Sequence, residues 1–530
     1  VYKRQSLSWP ANLGRLESLS IGGKPIGSRA LQGQSSGALA LETMDGAAYT
    51  IAGEAALSAR FQRQVRGSHG QVQSNITSEL GFVGGCEVAS VPAYEDNHGD
   101  YHYTRLAEAD QLHLHGVRGG GVSVAILDSG LWEHKALAND TQGRKRVLAR
   151  YDAIADRPVD QAFDESGHGT HLTSVLAHSG PTLSNNEPTG AFKGIAPDAR
   201  LVVVKAFNVE GQGDMLDIVR GIQWVIDNRE RYAIRVLNLS FASRPRWPYW
   251  LDPVNQAVMR AWAAGIVVVA AAGNEGPEPM TVGSPGNLPY IISVGAITDS
   301  WTPADRSDDY IPDFSSRGPT PEAHIKPDLV APGGHMTGLT RPGSTLTLEH
   351  PEYQLRTGEF VMTGSSQAAA LVSGLVALLL QLEPDLSPDQ VKCMLTSTAE
   401  PAINRDGLLA YSPFAQGSGL VSVTRAITLG ERDCGNVDLN IADDMAGKAH
   451  FEGPAKVSED GDITLPGLDT MLSPQAAAKG PSDSRVWGVK AHVERLPPDY
   501  QAAETDIFKW LEVYAAERAR IEALRARNAP

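Results

Sequence analysis

Four polar residues in this 530-residue chain stand in local contexts suited to covalent chemistry: Asp128, His168, Asn274 and Ser366. Ser366 lies in the polar stretch Thr363-Gly364-Ser365-Ser366-Gln367, which turns into an Ala- and Leu-rich run ending at Leu382. That composition predicts a buried helix over 366–382 with the serine in its first turn. A hydroxyl there sits beside unpaired backbone N–H groups and the positive end of the helix dipole. Such a place suits a nucleophile that must carry an oxyanion through a reaction. Taken alone, Ser366 is most simply a helix cap, since serine is a preferred capping residue. The nucleophile reading needs a base, an orienting acid and an oxyanion donor elsewhere in the chain.

The other three residues could supply them. Asp128 closes the apolar run 122–127, which reads as a strand buried on both faces of a parallel sheet. Ligands of such sheets bind beyond the carboxyl ends of the strands, although an Asp ending a strand is commonly a turn residue. His168 is flanked by Gly167 and Gly169, which would let another side chain approach the imidazole closely, and an apolar-spaced helix follows. His171 and His178 lie nearby, but neither a His-Glu-x-x-His pattern nor a Cys or carboxylate completes a metal set. Asn274 stands in the Gly-flanked turn Gly273-Asn274-Glu275-Gly276 after another apolar run. Asn occupies such turns for backbone reasons, or its amide can face a developing oxyanion.

The elements that must hold these residues alternate. Strands are predicted at 122–127, 201–206, 236–241, 266–272 and 291–296, and helices at 104–115, 214–228, 253–264, 366–382 and 388–399. This βα rhythm predicts an α/β fold with a mostly parallel central sheet between helix layers.

The order Asp128, His168, Asn274, Ser366 and the five local contexts together resemble the subtilisin-like serine proteases, the subtilases of peptidase family S8. The matching stretches are Val124–Gly130, Gly167–His171, Ala271–Gly276, Phe314–Pro319 and Gly364–Ala368, with Lys326–Gly333 before the nucleophile segment. The resemblance spans about 104–428. It implies a three-layer subtilisin-like fold and a serine endopeptidase acting on proteins or peptides through an acyl-enzyme. Ser366 would be the nucleophile, His168 the general base, Asp128 its orienting acid and Asn274 the oxyanion-hole donor. The resemblance also makes Gly211-Gln212-Gly213 and Ser240-Phe241-Ala242 the two substrate-flanking strands, and Ala272, Gly273 and Gly283 the walls and floor of the primary pocket. A glycine floor leaves room for a large apolar residue before the scissile bond. Three positions depart from the family pattern Gly-Thr-Ser-Met-Ala with a Pro two residues on: Ser365 replaces Thr, Gln367 Met, and Ala370 Pro. A similar pattern, with Gln-Ala-Ala-Ala after the serine, occurs in some bacterial subtilases.

No cofactor is required for this chemistry. A structural calcium is common in the family, but the sequence offers no contiguous calcium loop, and the acid-rich stretch 299–313 reads as a solvated loop. The formal net charge of −16 argues against nucleic-acid partners and anionic membranes. The 366–382 run is short for a membrane span and carries Gln367, Ser373 and Gly374, so a core helix is expected. The three cysteines form no disulfide framework; one bridge would use two of them, and Cys393, in a helical pattern, is expected as a buried thiol. The organisation expected is an N-terminal region over 1–103, one reading of which is a propeptide remnant, a catalytic domain over 104–430, and an extension over 431–530 ending in a helix at about 505–527. The chain begins at Val1 and not at Met and shows no signal peptide, so an incomplete N-terminus is expected, and a secreted location is expected for the protease.

Overall fold

The computed structural model describes the backbone of six strands between residues 6 and 84. It further describes residues 101–457, apart from 162, 185–186, 301, 303–305, 357 and 404–407, and short pieces at 463–465 and 472. The predicted helix at 505–527 lies outside the described residues. The chain divides into two units, 1–97 and 98–530. In the first, Arg15–Ile21, Ala55–Arg66 and Val72–Gly84 pair antiparallel in that order.

The second unit is built on an eight-stranded sheet. Its strands in chain order are β1 (Ser123–Asp128), β2 (Val147–Asp152), β3 (Arg157–Pro158), β4 (Arg200–Lys205), β5 (Ile234–Leu239), β6 (Val267–Ala271), β7 (Ile292–Ile297) and β8 (Leu329–Pro332). The spatial order is β8-β7-β6-β5-β1-β4-β2-β3, parallel except for the β2–β3 pair. Residues of β1, β6 and β7 are buried throughout, as their unbroken apolar runs require. The order reverses at β1, which has β4 on one side and β5 on the other. Asp128 is its last residue, so it ends at the topological switch point where parallel sheets bind ligands.

Five helices complete the layers: α1 (His168–Ala177), α2 (Met215–Asp227), α3 (Pro253–Ala263), α4 (Ser365–Leu382) and α5 (Pro388–Thr398). α1 packs on α4, α2 packs on α3, and α4 lies along β5, β6 and β7. α4 is long and apolar enough to cross a bilayer, yet 89% of that apolar window is buried within the protein. It is the central core helix. Its fit is close: a Cβ on Gly374 would lie 2.6 Å from Ile195 Cβ. Each buried leucine of α4 contributes about 1.5–3 kcal/mol. α5 starts with a full capping box, Ser387 against Gln390.

Three expectations are corrected. The predicted helix over 104–115 is two short helices, Tyr103–Leu106 and Ala109–Leu114. They break at Glu108, which takes a left-handed conformation (φ 60°). Its carboxylate instead accepts hydrogen bonds from Ser422 Oγ, Thr424 N and Thr424 Oγ1, so a tertiary contact overrides helix propensity. Cys393 is buried but is no free thiol, because it is bonded to Cys434, 41 residues away. The stretch 299–313 is not simply solvated, since Asp299 and Asp309 are buried. Burial pushes the Asp309 carboxyl up to about 7, with Arg306 opposing and Asp299 adding to the rise.

The chain past 430 does not leave the core at once. Asp444 is buried and accepts hydrogen bonds from Tyr249 Oη (2.6 Å), Tyr290 Oη (2.7 Å) and His450 Nδ1 (2.8 Å). His450 stacks on Trp250 with ring centroids 4.4 Å apart. Tyr249 precedes α3 and Tyr290 precedes β7, so residues 434–455 strap these two segments together.

Candidate active site

The site lies at the carboxyl ends of β1, β5 and β6 and at the start of α1 and α4. Asp128 Oδ1 is 2.8 Å from His168 Nδ1. The carboxylate is buried, while the imidazole retains 26% of its side-chain exposure. Asp128 Oδ1 also accepts Ser129 N at 2.8 Å, and the Ser129 hydroxyl, whose one proton is shared with Asp164, lies 3.1 Å away. These bonds fix the carboxylate and turn Nδ1–H of His168 toward it. Burial alone would lower the imidazole pKa. The Asp128 charge and hydrogen bond, with Asp164 behind them, outweigh burial and hold it above its ordinary value.

The first turn of α1 is capped from outside the helix. Its N-cap is Gly167, which has no side chain to offer and sits at φ 98°. Asp164 accepts Gly167 N (2.7 Å), Thr170 N (2.7 Å) and Thr170 Oγ1 (2.5 Å). Ser129 Oγ accepts Gly169 N at 2.9 Å and donates to Asp164 Oδ1 at 2.8 Å. A Cβ on Gly169 would lie 2.5 Å from Gly130 O, so only glycine lets α1 approach the Asp128 turn this closely. Asp164 and Ser129 escaped the sequence reading. The signal that could have found Asp164 is an acid placed to bond N–H groups of a helix whose own cap is glycine.

Ser366 lies in the first turn of α4. Its Oγ donates to Ser240 O at 2.9 Å, and Ser240 Oγ donates to Ser366 O at 2.9 Å. Ser240 is in turn held by Asn238, a buried residue of β5 whose Oδ1 accepts Ser373 Oγ of α4. The nucleophile candidate is thus tied to the sheet on both sides. Its hydroxyl is bonded to Ser240 O, so its proton must turn away from that carbonyl before it can pass to His168. Catalytic hydrogen bonds commonly tighten only when substrate is bound.

Asn274 is exposed at the cleft. Its Oδ1 accepts Ser365 N and Ser365 Oγ, each at 2.9 Å. Ser365 Oγ also accepts Gly273 N at 3.2 Å. With its oxygen engaged, the Asn274 amide presents Nδ2 toward the segment before Ser366; a Cβ on Gly364 would lie 3.3 Å from it. The hydroxyl kept by the Thr-to-Ser departure therefore has a definite task. Gln367 is buried and donates to Met362 Sδ at 3.9 Å. Ala370 is fully buried in α4, and nothing in the structure explains its replacement of Pro.

The predicted pocket residues come together. Gly283 N donates to Ala272 O at 2.9 Å. A Cβ on Gly283 would lie 2.9 Å from Ala242 Cβ, and one on Gly273 would lie 3.3 Å from the same atom. The Gly283 position also crosses the Ser243 backbone closely, which by itself demands glycine. Phe241 packs on Phe207 at 5.1 Å between centroids. Gly211, Gln212 and Gly213 are exposed on a loop closed by Asn208, whose Oδ1 accepts Gln212 N at 2.8 Å. A Cβ on Gly211 would come within 3.4 Å of Ser166 Oγ, two residues before His168. At the rim, Glu275 faces Arg244 at 3.8 Å. Among the described residues, no group of three or more His, Cys, Asp or Glu is arranged to hold a metal ion.

A parallel α/β sheet with an Asp–His pair at its switch point and a serine at a helix start beside the Asn274 amide has the parts of a serine hydrolase site. Residues 119–419 match the model of the Subtilase family, Peptidase S8, and the chain belongs to that family. It is 35% identical over 316 residues to Serine protease AprX of Bacillus subtilis (strain 168), covering 59% of this chain and 67% of that protein. It is 31% identical over 323 residues to Subtilisin DY of Bacillus licheniformis, covering 61% of this chain and 96% of that one. Among solved structures, Sphericase covers 57% of this chain and 92% of its own at 26% identity, with a TM-score of 0.47. The fold is subtilisin-like and the protein is a serine-type endopeptidase that acts through an Asp-His-Ser triad.

Proposed function

We propose that Ser366 is the nucleophile of this endopeptidase, His168 its general base and acid, Asp128 the group orienting His168, and Asn274 an oxyanion donor. The observation that carries this reading is the Asp128–His168 bond at 2.8 Å in a unit that also holds Ser366 at the start of α4. Ser366 Oγ attacks the scissile carbonyl as its proton passes to His168 Nε2. The imidazolium, stabilised by Asp128, then gives that proton to the leaving amine nitrogen, and the acyl-enzyme remains. Water repeats the sequence in reverse and frees the carboxylic acid product. Asn274 Nδ2 and the Ser366 backbone N–H donate to the oxyanion at each tetrahedral stage.

Substrate is proposed to lie extended along Ser240-Phe241-Ala242 and Gly211-Gln212-Gly213, using main-chain hydrogen bonds for affinity. Ala272, Gly273 and Gly283 are proposed to line a pocket for a large apolar residue before the scissile bond. The Glu275–Arg244 pairing reduces the attraction of a basic residue at that rim. The chemistry is proposed to need no metal; a structural calcium is proposed without an assigned ligand set. The Cys393–Cys434 bond supports a secreted location, since disulfides persist in oxidising compartments.

Casein hydrolysis by the purified protein, with and without a serine-directed phosphonate and beside a Ser366→Ala variant, tests the assignment. Wild-type hydrolysis blocked by the phosphonate is expected; equal activity in the variant refutes it. Chromogenic peptides ending in Phe, Lys and Asp test the pocket, and a preference for Asp would rule the proposed pocket out.

A further inference from the structure

We propose that Asp164 is a positioning residue for the His168 base: through Ser129 and the first turn of α1 it holds the Asp128–His168 pair in register, and its negative charge favours the imidazolium. This rests on the assignment of His168 as the base.

Three observations carry it. Asp164 is fully buried, yet it accepts four hydrogen bonds, from Ser129 Oγ, Gly167 N, Thr170 N and Thr170 Oγ1. A buried carboxylate with that many donors is fixed in place. Every donor belongs to a segment that carries a reacting group: Ser129 follows Asp128, and Gly167 and Thr170 flank His168. Finally, Ser129 Oγ touches both carboxylates and also accepts Gly169 N, so one hydroxyl joins Asp164, Asp128 and α1.

The charge has a task of its own. His168 is the first residue of α1, where the helix dipole disfavours a positive imidazolium. Asp164 caps that end with negative charge. The other groups facing His168 do not duplicate it. Asp128 on β1 is its direct partner. His171, one turn along α1, is held neutral, lowered to about 3 by burial and then by His168. Lys205 on β4 is engaged by Ser129 O, Phe163 O and the Glu165 carboxylate.

The test is the pH dependence of kcat and kcat/KM between pH 5 and 9 on a chromogenic peptide ending in Phe, for wild type, Asp164→Asn and Ser129→Ala. Asp164→Asn is expected to lower kcat about tenfold or more with KM within about twofold, and to move the acid limb of kcat/KM down by about 0.5–1 unit. A merely structural role would lower activity or melting temperature and leave the acid limb in place. Ser129→Ala keeps both carboxylates, so kcat is expected to fall several-fold with the acid limb unmoved. A folded Asp164→Asn protein with the wild-type acid limb overturns the proposal. Should that variant not fold, an unchanged kcat in Ser129→Ala overturns it. Absence of any wild-type cleavage would instead defeat the assignment of the triad.

Discussion

Ser365 holds Asn274 from two directions, its backbone N–H and its hydroxyl both donating to the Asn274 Oδ1 at 2.9 Å. The proposed oxyanion donor, in the turn after β6, is thereby oriented by the residue next to the proposed nucleophile at the start of α4. Asn274→Ala is expected to lower kcat about 10²–10³-fold with KM little changed, a magnitude carried over from the corresponding amide in subtilisin, a member of this family. Ser365→Ala leaves the backbone donor in place. It is expected to cost about 1 kcal/mol, or about fivefold in kcat. Steady-state kinetics on one peptide substrate check both, and a larger loss from Ser365→Ala than from Asn274→Ala would contradict the orienting role.

The fold and the proposed catalytic residues are legible in the sequence for different reasons. Strands buried on both faces announce themselves as apolar runs, and Asp128, His168, Asn274 and Ser366 each sit in a short motif. What the sequence did not reveal depends on contacts distant along the chain. Glu108 leaves a helix to cap residues over 300 positions away. Cys393 finds Cys434 only because the strap after 430 folds back. Asp164 acts through N–H groups and a hydroxyl that no periodicity marks. Asp309 looks solvated by composition and is buried by tertiary packing.

Stability should fall on acidification below pH 6.5. His113, His171 and His324 are buried and lowered to about 4, 3 and 3, chiefly by burial, and His178 is lowered as well. The unfolded chain therefore binds protons that the folded state refuses, and each such group costs about 1.4 kcal/mol per pH unit between 6.5 and its folded value. Asp309, raised to about 7, opposes this, since it favours the fold at low pH and loses that contribution as pH rises toward 7. His168, raised, contributes fully below 6.5 and loses its contribution as pH rises through its folded value. The depressed histidines, to which His134 also belongs, outnumber the one opposing carboxyl. Melting temperatures of the Ser366→Ala protein, which cannot digest itself, should drop steeply between pH 6.5 and 4; a flat profile would contradict the burial of these rings.

The Cys393–Cys434 bond closes a 41-residue interval. Removing it is expected to cost about 4 kcal/mol through the larger entropy of the unfolded chain. Thermal unfolding of Cys434→Ser, or of wild type under dithiothreitol, should show a clearly lower midpoint. An unchanged midpoint would mean that the bond is not formed in solution.

Asp444 anchors the strap by two tyrosine hydroxyls and one imidazole. Asp444→Ala leaves those three polar groups buried without their acceptor and is expected to destabilise the protein by about 3 kcal/mol or more. Truncation after residue 430 should be worse, since it also removes Cys434. Denaturant unfolding of both proteins checks this; a truncated chain as stable as wild type would place the strap outside the folded unit.

The identity of the nucleophile is tested most directly by labelling with a fluorophosphonate and locating the adduct by peptide mass spectrometry. One label per active molecule on Ser366 is expected, lost in Ser366→Ala and suppressed in His168→Ala. A label on another serine, or an undiminished label on the Ser366→Ala protein, would contradict the assignment.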